Sequence, residues 1–537
     1  LQKDRPNFLV ITTDQQRWDH VGYAGNNQIR TSNIDQLAEK GSWFSNFYVA
    51  SPTCMSNRAT LMTGRMPSLN GVRYNGIPLD LDTVTFVDLL RAAGYRTHLI
   101  GKCHLQGMEN EPSHAPREVF PPELLPPPAD LSEARRSNHS LNRYRCEMQQ
   151  LWRATNGRAQ ETPLPYYGFD AVDFCLGHAD KVTGHYEAWL REVAPEMADR
   201  YGGDHALEKG STGVDQVYKP ALPEEFYATS YIKEKTISQL DQFARNPKEP
   251  FFIHCSFPDP HHPFTPPGRY WDMYDPKEIP LPTGFGVSNS NLIPPEEVMR
   301  GNYNNQQKLE RWTFPYVTNA DQTKEIIART YGQITMIDDA IGSILQHLNK
   351  CGFSANTIIC FMSDHGDYLG QHGLMGKGPI HYQSIIRTPF VWLDYENSFN
   401  RGRIDLLAST VDVAKTILLR AGLQPYNGIQ GLNLLLPLKG NQPEYRRGLL
   451  IEQTTQYPYL GFDDLVTIHT LVNENWRLSV WSGQSWGELY HIGEDPGEVN
   501  NLWNSSAHSA IKQELLIDLI QLIQSHRETS PYPLSVS

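Results

Sequence analysis

Residues 7–19 read NFLVITTDQQRWD. The apolar run Phe8-Leu9-Val10-Ile11 is continuous rather than alternating and too short for a helix of ordinary length. That is the pattern of a strand covered on both faces. The strand ends by delivering two polar side chains, Asp14 and Gln15, at its carboxyl end.

Moving outward, the same arrangement recurs. TVTFVDLLRAAGYRTHLIGKCH (83–104) reads as a helix stopped by Gly94, then a strand from Arg96 to Ile100 that delivers Lys102 and His104. EPFFIHCSFPDPHHPFTPP (249–267) is a strand running into a proline-stiffened loop with His261 and His262. ANTIICFMSDHGDYLGQHG (355–373) is a strand running into an acidic loop with Asp364 and His365, and the long amphipathic pattern of residues 326–348 precedes it. Helices alternating with continuous apolar strands predict an α/β fold, a large and mainly parallel sheet sandwiched by helices. In such sheets chemistry gathers beyond the carboxyl ends of the strands.

After about Pro437 the pattern changes to short β-rich runs (447–455, 465–473, 476–483, 487–493) and a last helical stretch at 509–524. The expected organisation is therefore a catalytic domain at 1–437 and a smaller C-terminal α+β subdomain with an antiparallel sheet at 438–537. Two stretches, about 105–165 and 265–320, are rich in proline and read as insertions of loops or irregular helices over the sheet.

With 537 residues, 39% of them apolar and 20% charged, the chain has the composition of a folded enzyme. No apolar run is long enough to cross a bilayer, and the first residues lead straight into a strand, so a cytoplasmic protein without a membrane partner is expected. The seven cysteines are scattered without a C-x-x-C pair, which argues against a disulfide framework or a zinc cluster. A formal charge of −13 argues against a nucleic-acid partner. An anionic substrate would need local positive charge in its site.

CMSNRATLMTGR (54–65) supplies some of it. In a helix beginning at Cys54 and closed by Gly64, Met55, Ala59 and Met62 form the buried stripe, while Cys54 and Arg58, four apart, share another face. A cysteine at a helix N-terminus beside a cation suits an anion or an activated nucleophile, although a cysteine in an apolar helix also serves as a small core residue. Asp14, Lys102, His104, His261, Asp364, His365 and Lys377 all fall at or just after strand ends. Asp14, Asp364 and His365 make a sensible ligand set for one divalent ion, and the nitrogen favours manganese or another transition ion, with calcium possible.

Assembled, these residues resemble the type I sulfatases and the related phosphonate monoester hydrolases of the alkaline phosphatase superfamily. CMSNRATLMTGR is similar to that family's signature, C-x-(S/P)-x-R followed by T-G-R, in its serine form. TDQQRWD, GVRYNG, GYRTHLIGKCHL, PHHPFTPP, SDHGDYLGQHGLMGKG and ELYHIGEDPGEVNNL match the family in order over most of the chain.

The resemblance implies an alkaline-phosphatase-like fold and a specific chemistry. Cys54 would be oxidised by a formylglycine-generating enzyme to an aldehyde whose hydrate attacks sulfur or phosphorus. Loss of a proton from the second hydroxyl would then expel the acid product, so water need not attack the hindered central atom. Asp14, Asp364, His365 and the modified Cys54 would surround the metal, with Gln15 a further ligand. Arg58 and Lys102 would orient the nucleophile, and His104 would be the base that releases product. His261 and Lys377 would meet the leaving-group oxygen, and Asn75 a substrate oxygen. Many sulfatases have Asp where this chain has Gln15 and Asn where it has His365, a departure toward the phosphonate hydrolases.

The implied activity is a sulfuric ester hydrolase of arylsulfatase type acting on a small anionic ester. The alternative is a phosphonate monoester hydrolase or phosphodiesterase with the same machinery. Trp152, Tyr166, Tyr167 and Trp312 are candidates to pack against an aryl group. Family habit implies a homodimer or tetramer. An unmodified Cys54 would instead leave a metal- and ester-binding protein with little turnover.

Overall fold

The computed structural model describes residues 5–109, 120–128, 143–157, 162–286, 292–307, 311, 313–396, 399–441, 446–531 and 533. Its centre is a nine-stranded sheet. Across it the strands run in the order 402–409, 42–48, 390–393, 357–363, 7–13, 251–256, 96–101, 171–176 and 183–184. Asn7–Thr13 lies in the middle, parallel to Thr357–Ser363 on one side and Phe251–Ser256 on the other. The sheet is mixed, because Phe390–Leu393 pairs antiparallel with both of its neighbours and Thr183–Gly184 antiparallel with Ala171–Leu176.

All seven residues of Asn7–Thr13 are buried, as the continuous apolar run requires. Its side chains alternate between two cores. Phe8 and Val10 pack with the helices Cys54–Thr63, Phe86–Ala92 and Val411–Arg420, whereas Leu9 and Ile11 pack with Ser32–Lys40, Ala228–Ala244 and Ala320–Lys350. Helices on both faces leave the carboxyl ends of the parallel strands as the open rim.

The second sheet is antiparallel, with strands in the order 449–454, 467–472, 476–481 and 487–491. One face packs on the helix Ser509–Ser525 through Leu450, Leu471, Leu478 and Leu489 against Leu515 and Leu519. The other supports the segment after Asp364, where Ile451, Ile468 and Trp481 meet Tyr368, Leu374, Ile380 and Tyr382. A buried ion cluster locks this layer: Arg477 pairs with Glu488 at 3.0 Å and with Glu498, and Glu498 accepts the backbone N–H of Gln383 at 2.7 Å. This sheet therefore holds the loop that carries Lys377.

Two expectations change. The helix Cys54–Thr63 has no solvent face, since all ten of its residues are buried, so Met55, Ala59 and Met62 are part of an all-round contact rather than a stripe. Trp152, Tyr166 and Tyr167 belong to the main core, with Trp152 Nε1 donating to Cys146 O and the Tyr167 hydroxyl to Leu79 O, so they do not offer an aryl surface. Trp312 lies outside the described residues.

Candidate active site

The site is built where the strands 7–13 and 357–363 end side by side, with Thr13 paired to Ser363, so that Asp14 and Asp364 emerge as neighbours. The helix Cys54–Thr63 points its N-terminus at them. Asn57, inside the signature, fixes that approach: its Nδ2 donates to Asp364 O at 2.6 Å and to Thr410 Oγ1 at 3.2 Å, and its Oδ1 accepts from Ala50 N at 3.0 Å. Gly64, in the left-handed region at φ 58°, ends the helix. Asn75 caps the start by accepting from Met55 N at 3.1 Å, which places it next to residue 54.

Arg58 is buried and carries no exposed charge. It donates to Asp364 Oδ2 at 2.7 Å, to Asp14 Oδ2 at 3.3 Å, to Lys102 O at 3.0 Å and to Ser256 Oγ at 2.9 Å. Such a buried guanidinium is tolerable only because the carboxylates and carbonyl saturate it. Lys102 Nζ donates to Asp14 Oδ2 as well, and to His178 Nε2 at 2.7 Å. Burial by itself would raise the Asp14 carboxyl, but Lys102, Arg58 and His365 hold it well below the usual carboxylate range.

Cys54 Sγ lies 3.0 Å from His365 Nε2 and 2.7 Å from Lys377 Nζ. Burial raises its thiol, yet the neighbouring Lys377, with His365 and Lys102, brings it down to about 7. His365 Nδ1 donates to Gly366 O at 2.8 Å, which fixes the tautomer and turns Nε2 toward Cys54 and the carboxylates. The loop is clamped: Gly366 N donates to Ile385 O at 2.8 Å, and a Cβ at Gly366 would fall 1.9 Å from Ser384 O.

Donor atoms of Asp14, Cys54, Asp364 and His365 all lie within 4.8 Å of one another. Asp14 Oδ1 and Gln15 Oε1 are buried with no hydrogen-bond partner. The amide nitrogen of Gln15 is held by Asp367 Oδ2 at 2.5 Å and lies 3.1 Å from His262 Nδ1, which leaves Oε1 as the group to be satisfied. Two carboxylates, an imidazole and a buried carbonyl oxygen without a proton donor are what a divalent cation supplies the missing partner for, so these residues fit one.

His261 Nδ1 donates to His262 O at 2.7 Å, so Nε2 faces Lys377 Nζ at 3.3 Å. Burial, then His178 and His262, push His261 well below the ordinary imidazole range, and it is neutral. His104 sits at φ 58°. Its turn is held by Glu147, which accepts the N–H groups of His104 at 2.5 Å and of Leu105 and Gln106 at 3.1 Å, and the Tyr166 hydroxyl at 2.8 Å. His104 Nδ1 is buried without a hydrogen-bond partner, and burial, with Lys102 and Arg58, keeps the ring neutral.

The candidate catalytic and metal-binding residues thus lie together at the strand ends, while Trp152, Tyr166 and Tyr167 lie in the core. Sequence reasoning missed His178, whose ring lies against His261 with centroids 3.6 Å apart and planes 13° apart. It follows the strand Ala171–Leu176 through Gly177, the same strand-end position that gave Asp14 and Lys102, and that signal was available. Asn57 and Glu147 carried none, because their partners are remote in sequence.

A nine-stranded mixed sheet with acids and bases converging on a helix N-terminus defines a hydrolase of anionic esters built on an alkaline-phosphatase-like fold. The profile of the sulfatase family matches residues 6–122 and 174–423, and the chain belongs to that family. A second profile, for the C-terminal part of N-sulphoglucosamine sulphohydrolase, matches residues 370–525. The family implies a formylglycine and a divalent ion as catalytic equipment. An arylsulfatase of Clostridium perfringens is 27% identical over 530 residues, 98% of this chain and 95% of that protein. Among solved structures, phosphonate monoester hydrolases share the fold. That of Agrobacterium radiobacter has a TM-score of 0.74 at 22% identity, covering 97% of this chain and 96% of its own. That of Silicibacter pomeroyi has a TM-score of 0.75 at 19% identity, covering 98% and 96%. Among the described residues, no helix is long and apolar enough to cross a membrane.

Proposed function

We propose that the protein hydrolyses sulfate monoesters, aryl sulfates foremost, at a formylglycine made from Cys54. Asp14, Asp364, His365 and Gln15 would hold one divalent ion, manganese by preference and calcium as the alternative. The supporting observation is the position of Cys54 Sγ, 3.0 Å from His365 Nε2 and 2.7 Å from Lys377 Nζ, at the N-terminus of a buried helix.

When present, the hydrated aldehyde supplies a hydroxyl nucleophile with a second hydroxyl as its exit, and the ion supplies the charge that acidifies the first. The remaining roles fall to the chain. Arg58 pairs with Asp14 and Asp364 from behind and balances their charge. Lys377 spans the Cys54 position and His261, so its ammonium meets negative charge growing on the leaving-group oxygen. Neutral His261 accepts from Lys377 and fixes the direction of its protons. His104, neutral and with a buried ring nitrogen in need of a partner, takes the proton whose loss releases the product. Asn75, which accepts from Met55 N, would orient residue 54, and Lys102 would act on it through Asp14.

One observation favours the second activity. Gln15 and His365 add no negative charge, which leaves two carboxylates as the formal anions of the donor set, and this suits phosphonate monoesters or phosphodiesters as well. Comparison of kcat/KM for an aryl sulfate and an aryl phosphonate monoester on one metal-replete preparation decides between them; a clear phosphonate preference overturns the first choice. Mass spectrometry of the Cys54 peptide tests the mechanism. An active natural preparation should carry the aldehyde, and thiol alone in active enzyme would refute the nucleophile. Cys54→Ala should abolish turnover and leave bound metal nearly unchanged, whereas Asp364→Ala should lose both.

A further inference from the structure

The far end of the molecule carries a second set of metal-binding donors that the hydrolytic site does not use. His347 and Cys351, four residues apart, share one face at the end of the helix Ala320–Lys350, with Cys351 as its cap residue. Asp241 reaches them from the helix Ala228–Ala244. The two helices pack through Leu240 and Phe243 on one and Ile344 and Leu348 on the other, which sets Asp241, His347 and Cys351 along the edge of that seam. His347 Nε2 lies 2.7 Å from Asp241 Oδ1, and Cys351 Sγ lies 3.8 Å from the same oxygen. All three donor atoms fall within 4.8 Å of one another.

The chemistry of the set is selective. A thiolate, an imidazole and a carboxylate together suit zinc and its neighbours rather than calcium or magnesium, whose shells are all oxygen. Bond lengths to zinc put neighbouring donors about 3.3–3.6 Å apart in a tetrahedron. The His347 and Asp241 atoms need to part by about half an ångström, and the sulfur needs to close by a few tenths. Asp241 is 59% exposed and His347 15%, so the fourth position opens to solvent. The carbonyls of the last turn of a 31-residue helix add a field that favours a cation there.

We propose that Asp241, His347 and Cys351 bind one zinc ion, or a like divalent transition ion, with water as fourth ligand, joining the ends of the two helices. On binding, the Cys351 thiol proton passes to solvent and the sulfur bonds to the metal; the His347 proton shifts from Nε2 to Nδ1 through water, freeing Nε2 as a ligand. The helix end leads to the start of Thr357–Ser363, and the hydrolytic site lies beyond the other end of that strand, roughly 20 Å away by strand rise. The site is therefore independent of the reading of the catalytic chemistry.

The test uses the full-length holoprotein. Zinc added at a small excess over the first bound ion should slow iodoacetamide alkylation of Cys351, followed on its own peptide, at least tenfold, and a chelator should restore the rate. Cobalt should give a thiolate-to-metal charge-transfer band that persists in Cys54→Ser and disappears in Cys351→Ser, while His347→Ala weakens binding at least tenfold. Equal alkylation with and without zinc overturns the proposal. So does a cobalt band that survives Cys351→Ser, or an affinity unchanged by His347→Ala.

Discussion

The imidazole of His178 lies flat on that of His261, 3.6 Å between centroids, while its own Nε2 accepts from Lys102 Nζ at 2.7 Å. One half-buried ring thus braces two groups on opposite sides of the site, Lys102 and His261, which the proposed mechanism puts beside the nucleophile and the leaving group. His178→Ala should lower kcat/KM by about ten- to a hundredfold through misplacement of both. The thermal midpoint should hardly move, because little core is lost. Unchanged steady-state kinetics, with the protein folded, would count against a bracing role.

Lys377→Ala removes the cation shared by the Cys54 position and His261. The loss should be about a hundred- to a thousandfold in kcat/KM for esters of poor leaving groups, and much smaller for good ones that need no help in departing. A series of aryl esters of graded phenol acidity reads this directly: the dependence on leaving-group acidity should steepen in the variant. Equal losses across the series would place Lys377 elsewhere in the reaction.

His381, four residues beyond Lys377, plugs the active-site loop into the C-terminal sheet, with Nδ1 2.8 Å from Thr470 Oγ1 and Nε2 2.8 Å from Gln453 Oε1. Burial pushes it down to about 3. A base with a depressed folded-state value stays neutral in the native protein and takes up a proton on unfolding. Its contribution is complete above the ordinary imidazole value and is lost as pH falls toward 3, at about 1.4 kcal/mol per pH unit. Buried His20 and His254 are depressed in the same direction, to about 4 and about 3. Unfolding free energy from urea titrations should therefore decline steadily from about pH 6.5 downward, and His381→Gln should reduce that slope by about one proton's worth.

Much of this site could be read before any coordinates. The reason is physical: an apolar run that must be buried on both faces stops where a polar side chain emerges, so Asp14, Lys102 and Asp364 mark strand ends on their own. The order of the strands was not legible. Nothing in Phe390–Leu393 announces that it runs against its neighbours, because direction depends on the loops that bring it there. The all-round burial of Cys54–Thr63 was hidden for a related reason: Ser56, Asn57 and Thr60 look like a solvent face until Asp364, Thr410 and the signature's own loops close over them. Glu147 was equally silent, since its three backbone partners lie about forty residues earlier in the chain.

Cys54 is 1% exposed. A modifying enzyme that must grasp the peptide around it has no access once Asn57 and Arg58 have engaged Asp364, three hundred residues later in synthesis. On the proposed reading, oxidation of Cys54 therefore belongs to the chain before Asp364 and its strand have closed over the signature. On that same reading, a chain that folds first keeps its thiol.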